Sequence, residues 1–279
     1  MTLAVTILGC GSSGGVPRLG SGWGACDPHN PRNRRRRCSI LVERTGAAGV
    51  TQVLVDTSPD LRDQLLGAGV TRLDAVLFTH DHADHTHGID DLRPLVIHMR
   101  RRIPIYADRA TDLVLGHRFG YCFASPPGSV YPPILDRREL RADATVAIDG
   151  PGGLVEAGPF RVAHGETEAL GFRFGGLAYL PDVSSVPEES LGALADLDVL
   201  VVDALRHRRH PTHFSLSDAL GLIEQVHPRR AILTNLHTDL DFDQLARSLP
   251  SGIEPAFDGM RISVPRERAG PQAREEDTL

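Results

Sequence analysis

Short apolar runs separated by turns rich in glycine, proline and asparagine dominate the pattern of hydrophobic and polar residues along the chain. In the first part, the runs at residues 1–9, 38–43, 51–56 and 73–78 are typical of β-strands, and a glycine-containing turn between the second and third favours antiparallel pairing. In the second half, strands are predicted at residues 145–148, 154–157, 160–163, 170–174 and 177–180.

Helical segments alternate with these strands. Residues 88–99 have mixed helical periodicity and precede a short predicted strand at 103–107, so strand, loop, helix and strand follow one another. This alternation predicts an α/β (α+β) fold. A chain of 279 residues can bury a sizeable core, and we expect a single domain over residues 1–264 followed by a polar, disordered tail at 265–279.

Composition narrows the class of protein. Hydrophobic residues make up 41 % and charged residues 24 % of the chain, as in ordinary globular proteins, and the formal net charge of −6 argues against a broad basic surface for nucleic acid. No apolar run approaches membrane-spanning length, and the N-terminal run is typical of a strand and not of a signal peptide. The four cysteines form no C-x-x-C pair. We therefore expect a cytoplasmic protein without a membrane partner.

The densest group of candidate ligands follows directly on the apolar run at residues 73–78. It consists of His80, His82, Asp84 and His85. Imidazole and carboxylate groups together suit first-row cations such as zinc, manganese and iron. A strand that ends in such a group predicts a metal-binding loop.

Three further candidate ligands stand at the ends of other predicted strands: His164, Asp182 and His237. Each alone could be an ordinary polar residue. Together with the four ligands of the loop, they give about the number that a two-metal site with a bridging carboxylate and a bridging water needs. Asp56, which closes the strand at 51–56, is predicted to face the same sheet edge and to orient the loop, with a plain turn aspartate as the alternative.

The roles of two segments, one glycine-rich and one basic, have two interpretations each. The first strand runs into a glycine-rich turn at residues 9–15, which lacks a Walker lysine and the G-x-G-x-x-G order. It is either a tight structural turn or a set of amides near a substrate phosphate, with Ser13 as a substrate contact. The arginine run at residues 34–37 is either a solvated surface or a patch that attracts an anionic substrate.

The order of the seven candidate ligands resembles that of the metallo-β-lactamase superfamily, over about residues 6–264. The resemblance implies a four-layer αββα sandwich with the site at one edge of the two sheets. It assigns the ligands to two metals: His80, His82 and His164 hold one, Asp84, His85 and His237 hold the other, and Asp182 bridges them.

Within the superfamily, the chain is most similar to the phosphoribosyl 1,2-cyclic phosphate phosphodiesterase group. The similarity rests on the turn at residues 11–17 and on segments 37–42, 87–93 and 211–220. Members of that group carry a cysteine cluster after the turn that holds a structural zinc. Only Cys26 stands there in this chain, so we do not expect a third, structural metal.

His213 and Asp84 are the predicted catalytic residues. Two cations roughly 3.5–4 Å apart would activate a shared water and clamp the oxygens of a phosphodiester. The leaving alkoxide then needs a proton, which His213, just before a predicted helix at residues 215–225, is placed to supply. Asp203 could pair with His213 or have a structural role only.

Predicted phosphate contacts surround these groups. They are Arg93, Arg206 and His210. Arg93 could instead pair with one of the aspartates just before it, and His210 could be solvated.

These features predict a phosphodiesterase with two divalent metal ions, zinc or manganese, acting on phosphoribosyl 1,2-cyclic phosphate or a cyclic nucleotide. Its partner would be a small phosphodiester or nucleotide and not nucleic acid, and a homodimer is compatible with the sequence. One alternative is a tRNA 3′-processing endonuclease, which would need a protruding basic arm. Others are a non-catalytic nucleotide-binding metalloprotein and a thioester or lactone hydrolase.

Overall fold

The computed structural model describes residues 2–264, which form two seven-stranded sheets flanked by helices. The strands are β1 Thr2–Gly9, β2 Ser39–Gly46, β3 Gly49–Val55, β4 Ala75–Leu77, β5 Ile103–Ala107, β6 Leu135–Glu139, β7 Val146–Ile148, β8 Val155–His164, β9 Thr167–Phe174, β10 Leu177–Leu180, β11 Val199–Asp203, β12 Arg230–Thr234, β13 Ile253–Pro255 and β14 Arg261–Val264. The α-helices are α1 Leu61–Gly67, α2 Ala83–Thr86, α3 Arg93–Met99, α4 Arg109–Arg118, α5 Gly120–Phe123, α6 Glu188–Leu191, α7 Leu216–Val226 and α8 Phe242–Ser248.

Both sheets are mixed. The first has the strand order β14-β1-β2-β3-β4-β5-β6, with antiparallel pairing from β14 to β3 and parallel pairing from β3 to β6. The second has the order β13-β12-β11-β10-β9-β8-β7, with parallel pairing from β13 to β10 and antiparallel pairing from β10 to β7.

Three hydrophobic cores separate four layers. The central core joins the two sheets, for example Ile40 of β2 with Phe172 of β9. Leu41, which points to the other face of β2, belongs to a second core under α1, α3 and α4, and a third core lies between the second sheet and α7. Because side chains alternate along a strand, residues next to each other in β2 serve different layers. The predicted αββα sandwich is confirmed.

The carboxyl ends of parallel strands bring the candidate ligands to one edge. In the first sheet, Asp56 follows β3 and residues 79–85 follow the neighbouring β4. In the second, Asp182, Asp203 and residues 235–237 lie at the ends of β10, β11 and β12, which are adjacent and parallel. Loops after parallel strands share one end of a sheet, which is where α/β proteins usually bind ligands.

One predicted strand break is wrong. Separate strands were expected at residues 154–157 and 160–163, on either side of Gly158 and Pro159, but β8 runs through both. Residues 155–157 pair with β7, and pairing with β9 begins at Gly158. Pro159 therefore lies where β8 passes from one partner to the next, and a proline that lacks an N–H is tolerated at such a position.

The strands and helices leave several predictions about domains, the C-terminal tail and location untested. None of the helices within residues 2–264 has both the length and the apolar character needed to cross a membrane. The predicted tail at 265–279 lies outside the described residues. The single domain and the cytoplasmic location stay predictions.

Asp56 ties the end of β3 to the loop after β4. It is fully buried and has a positive φ of 64°, a conformation that aspartate adopts more readily than most residues. Its Oδ1 accepts the backbone N–H of Thr79 at 2.8 Å, and its Oδ2 accepts the Thr79 hydroxyl and lies beside His85 Nδ1, both at 2.8 Å. One carboxylate thus contacts both ends of the loop, while its predicted role in orienting the loop stays a prediction.

We expect Asp56→Ala to lower the free energy of unfolding of the chelator-treated protein by about 3 kcal/mol, measured by urea denaturation. The substitution leaves buried donors of Thr79 and His85 without an acceptor and places alanine at a positive φ. Asp91→Ala, at an exposed position, serves as control and should stay within about 0.5 kcal/mol of wild type. Equal stability of the two variants would refute the role given to Asp56.

Candidate metal centre

The histidine rings of the loop after β4 lie close to one another. The His80 ring centroid lies 4.5 Å from that of His82 and 4.3 Å from that of His85. α2 begins directly after His82, and the Thr86 hydroxyl donates to the His82 carbonyl at 2.9 Å. On the outer side, Arg118 donates to the Asp81 carbonyl at 2.6 Å. The loop is therefore held from both sides with its imidazoles turned to the sheet edge.

Four of the predicted ligands converge. One donor atom from each of His80, His82, His164 and Asp182 lies within 4.8 Å of the others. His164 Nε2 is 3.3 Å from His82 Nδ1 and 3.7 Å from Asp182 Oδ2, and His80 Nε2 is 3.8 Å from that same oxygen. Three nitrogens and one carboxylate oxygen around a common centre are a donor set that suits zinc or manganese.

Neighbouring groups fix which ring nitrogens are free to bind a cation. The Thr79 hydroxyl donates its proton to Asp56, so at His80 Nδ1, 2.9 Å away, it can only accept. His164 Nδ1 faces the Thr212 carbonyl at 2.7 Å, and a carbonyl also only accepts. Both rings therefore carry their proton on Nδ1 and turn an Nε2 lone pair to the centre, as second-sphere partners of metal-binding histidines do.

The His80 side chain tests whether these residues fit a cation. Its Nε2 is buried and has no hydrogen-bond partner. Burial, together with the nearby His85, holds the pKa of His80 well below its usual value, so the ring is neutral and keeps its lone pair. A buried acceptor without a partner is costly, and a metal ion would satisfy it. The residues fit.

Of the ligands predicted for the second metal, only some lie close together. His85 Nε2 lies 3.2 Å from Asp182 Oδ1 and 3.5 Å from Asp84 Oδ2, which places Asp182 between His80 and His85. Burial alone would lower the pKa of His85, but Asp182, Asp84 and Asp56 raise it well above its usual value. Burial would likewise raise the pKa of Asp182, but His85 and His80 hold it well below the usual range.

His237, the third member of that set, faces an arginine. Arg18 donates from one guanidinium nitrogen to His237 Nε2 at 2.5 Å, while His237 Nδ1 lies 3.1 Å from Asp239 Oδ1. Burial and the charge of Arg18 lower the pKa of His237, so its ring is a neutral acceptor. The sequence offered no signal for Arg18, since its partner is 219 residues away.

His213 lies against the ligand cluster and is paired with Asp203. Its Nδ1 is 2.8 Å from Asp203 Oδ2 and 3.8 Å from Asp182 Oδ2, and its ring centroid is 4.7 Å from that of His164. Burial lowers the pKa of His213, but the hydrogen bond and charge of Asp203 outweigh this effect and raise it. Burial raises the pKa of Asp203 to about 7. Of the two alternatives for Asp203, pairing with His213 is present.

Asn235 is a further residue that the sequence analysis missed. It follows β12 with a positive φ of 59°, and its Nδ2 lies 3.1 Å from His213 Nδ1 and 3.5 Å from Asp182 Oδ1. Asparagine at a strand end two residues before a candidate ligand was a usable signal, because this residue favours left-handed backbone conformations.

The predicted phosphate contacts have different surroundings in the structure. Arg93 donates to Asp90 at 2.7 Å, which is the alternative considered for it. Arg206 folds back on its own loop and donates to the carbonyls of two residues that follow it. The His210 ring centroid lies 5.2 Å from that of His213. Ser13 is exposed, whereas the adjacent Ser12 is buried with a hydroxyl that has no partner.

Known proteins resemble this chain over most of its length. An octanoyltransferase from Porphyromonas gingivalis (strain ATCC BAA-308 / W83) is 32% identical over 263 residues, which are 92% of this chain and 51% of that protein. A ribonuclease Z from Bradyrhizobium sp. (strain ORS 278) is 31% identical over 157 residues, or 52% of this chain and 46% of that protein. The chain thus spans about half the length of these curated relatives.

A solved structure agrees over nearly the whole chain. The crystal structure of a new diphosphatase from the PhnP family superposes with a TM-score of 0.85 and 37% sequence identity, covering 94% of this chain and 97% of the other.

A family model described as a beta-lactamase superfamily domain matches residues 51–235. The match begins in β3, ends just after β12 and includes the loop after β4 as well as His164, Asp182 and His213. Since it crosses both sheets and takes in all the predicted ligands except His237, this chain belongs to the beta-lactamase superfamily.

Proposed function

We propose that the protein is a dinuclear metal-dependent phosphodiesterase that opens a small cyclic phosphodiester, such as phosphoribosyl 1,2-cyclic phosphate or a cyclic nucleotide. One observation carries the proposal: His213, a potential proton donor, lies 3.8 Å from Asp182 and against the ring of His164. A proton donor next to a cation site is what a phosphoester with an alkoxide leaving group needs. The likeness to a PhnP-family diphosphatase supports a phosphoester substrate.

In this proposal, the ligands serve two cations, zinc or manganese. His80, His82 and His164 would hold one, Asp84, His85 and His237 would hold the other, and Asp182 would serve both. Bound cations would supply a hydroxide near neutral pH and polarise the phosphoryl oxygens.

Asp84 is proposed as both a ligand and a catalytic residue. Its side chain is 18% exposed against 4% for Asp182, so of the two carboxylates beside Nε2 of His85 it is the one that substrate can reach. For His237 to take part, Arg18 has to release Nε2 of that ring, because one lone pair cannot serve both.

His213 is proposed as the general acid and Asp203 as the residue that positions it. The carboxylate of Asp203 accepts the proton on Nδ1, so the other ring nitrogen can present its proton to the leaving oxygen. The raised pKa of His213 keeps this proton available near neutral pH.

Positive charge near the centre favours an anionic substrate. Neither Arg18 nor Arg206 has a carboxylate within ion-pair distance in the described part of the chain, and both act electrostatically on His237. Arg206, His210 and Ser13 are proposed phosphate contacts. Arg93 is the weakest candidate of the four predicted contacts, because Asp90 already neutralises its charge.

The ribonuclease Z relative favours one alternative, cleavage of precursor tRNA. Both reactions break a phosphodiester with the same type of metal centre, so the site alone does not separate them. The net charge of −6 favours a small substrate over an RNA, which is bound through many phosphates.

A substrate panel tests the proposal. Protein loaded with zinc or with manganese should open five-membered cyclic phosphates at least tenfold faster, by kcat/KM, than it cleaves precursor tRNA, β-lactams or thioesters. Preferential tRNA cleavage would replace the proposal with the alternative. Tight nucleotide binding without turnover under both metals would indicate a binding protein.

Two single substitutions separate metal binding from proton transfer. His82→Ala should lose metal and activity together, whereas His213→Ala should keep its metal content and lose about 100-fold or more in kcat, because the leaving alkoxide is no longer protonated.

A diester of an acidic phenol is the matched control for this pair. Its leaving group needs little protonation, so His213→Ala should hydrolyse it at nearly the wild-type rate. If the loss were equal for alkoxide and phenoxide leaving groups, His213 would not be the general acid.

A further inference from the structure

The four side chains of the arginine run at residues 34–37 have different partners and do not form one patch. The Arg34 guanidinium stacks over the ring of Trp23, Arg36 pairs with Asp258 at 2.9 Å, and Arg37 pairs with Asp60 at 2.9 Å. Arg35 differs from these three, because its side chain is only 2% exposed. Each arginine of the run thus has a different partner, and of the four only Arg35 is buried.

The guanidinium of Arg35 reaches the loop that carries His237. One terminal nitrogen donates to the His237 carbonyl at 3.2 Å, and the other donates to the Leu240 carbonyl at 2.7 Å and to Asn33 Oδ1 at 3.2 Å. Asn33 in turn accepts the Phe242 amide at 2.8 Å, at the start of α8. The side chain therefore spans the whole turn between β12 and α8.

The backbone of Arg35 holds the glycine-rich turn at the same time. Its N–H and carbonyl exchange hydrogen bonds of 2.9 Å with Val16. The same turn accepts the Leu236 amide through the Cys10 carbonyl at 2.8 Å. Arg35 thus connects the segment after the glycine-rich turn with the turn that carries His237, a residue 202 positions away in sequence.

Gly24 allows the segment next to it to approach the His237 turn closely. The Ala25 amide donates to the Thr238 carbonyl at 2.8 Å. Gly24 has a φ of 58°, and a Cβ at that position would lie 2.6 Å from the Thr238 carbonyl oxygen. The carbonyls of His237, Thr238 and Leu240 are therefore all bound by residues 24–35, which leaves this turn little freedom.

Stability alone is a poor explanation for Arg35. No carboxylate lies within ion-pair distance of its guanidinium in the described part of the chain, and its Nε has no partner. Burying a charge against neutral acceptors is unfavourable compared with an apolar side chain of similar volume. The guanidinium does, however, have a planar fork that can bind two carbonyls at fixed positions, which neither an apolar side chain nor a lysine can do.

We propose that Arg35 is a positioning residue for His237: it fixes the backbone of the turn that presents this ligand to the second cation. The inference rests on the dinuclear centre proposed above only through His237. The ligands of the first cation lie on elements that the Arg35 side chain does not contact. Loss of Arg35 should therefore affect one metal and not the other.

Metal titration of the chelator-treated full chain by calorimetry tests this selectivity. In Arg35→Met, the first equivalent of zinc should bind as in wild type and the second at least tenfold more weakly, the range found when a residue that supports a ligand is removed. His237→Gln should give the same pattern. Arg35→Lys should lie between Arg35→Met and wild type, because an ammonium can bind one carbonyl but not the pair.

Arg36→Met is the matched control, since the neighbouring guanidinium donates to the Asp258 carboxylate and not to the His237 or Leu240 carbonyl. It should bind both equivalents as wild type does, even if it is less stable. Wild-type binding of both equivalents by Arg35→Met, or equal weakening of both, would overturn the proposal.

Amide hydrogen exchange separates this inference from the dinuclear assignment. In Arg35→Met, the His237 and Leu240 amides should exchange at least tenfold faster, and the Thr79 and His85 amides should not change. If wild type and His237→Gln bound metal alike, the dinuclear assignment would fail, and the exchange result would still decide whether Arg35 positions the turn. Unchanged exchange at His237 and Leu240 would reject the positioning role.

Discussion

One buried carboxylate, that of Asp182, lies among four imidazoles. His80, His85, His164 and His213 each place a ring nitrogen between 3.2 and 3.8 Å from one of its oxygens. Burial would favour its neutral form, but the surrounding rings keep its pKa well below the usual range. The rest of the centre depends on this ionised group, because its charge must be balanced by protonated rings or by bound cations. When the proposed metals bind, their charge would balance the carboxylate in place of the protonated rings.

The topology explains how so many polar groups reach one place without weakening the core. Asp182, Asp203 and Asn235 end three adjacent strands of the second sheet, while Asp56 and the histidine loop end two adjacent strands of the first. β4, β10 and β11, which lead to this edge, are buried and largely apolar, so their candidate functional residues stand at or just after the strand ends. At that edge, outer partners such as Thr79 and the Thr212 carbonyl set the direction of each ring. The sheets therefore determine where each candidate ligand lies, and contacts from the loops determine how its side chain is oriented.

Local patterns were enough to predict an α/β alternation and to propose candidate ligands, because histidines and aspartates at strand ends leave a pattern within a few residues. The αββα sandwich itself followed from the resemblance to a known family. Local patterns also suggested the pairing of Asp203, at the end of β11, with His213, ten residues later in the loop before α7. Contacts between distant segments left no such pattern: Arg18 with His237 and Arg35 with the same turn each join residues more than 200 positions apart. The arginine run resembled a surface patch because charge alone does not reveal which side chains find buried acceptors. Pro159 suggested a break for a similar reason, since its tolerance depends on which strand is its neighbour.

Anomalous X-ray diffraction from crystals of the metal-loaded protein tests the central claim most directly. The account predicts two metal peaks that share Asp182, one bound by His80, His82 and His164 and the other by Asp84, His85 and His237, with Arg18 displaced from the His237 ring. A single peak in the first set, with Arg18 still bonded to His237, would contradict the dinuclear centre.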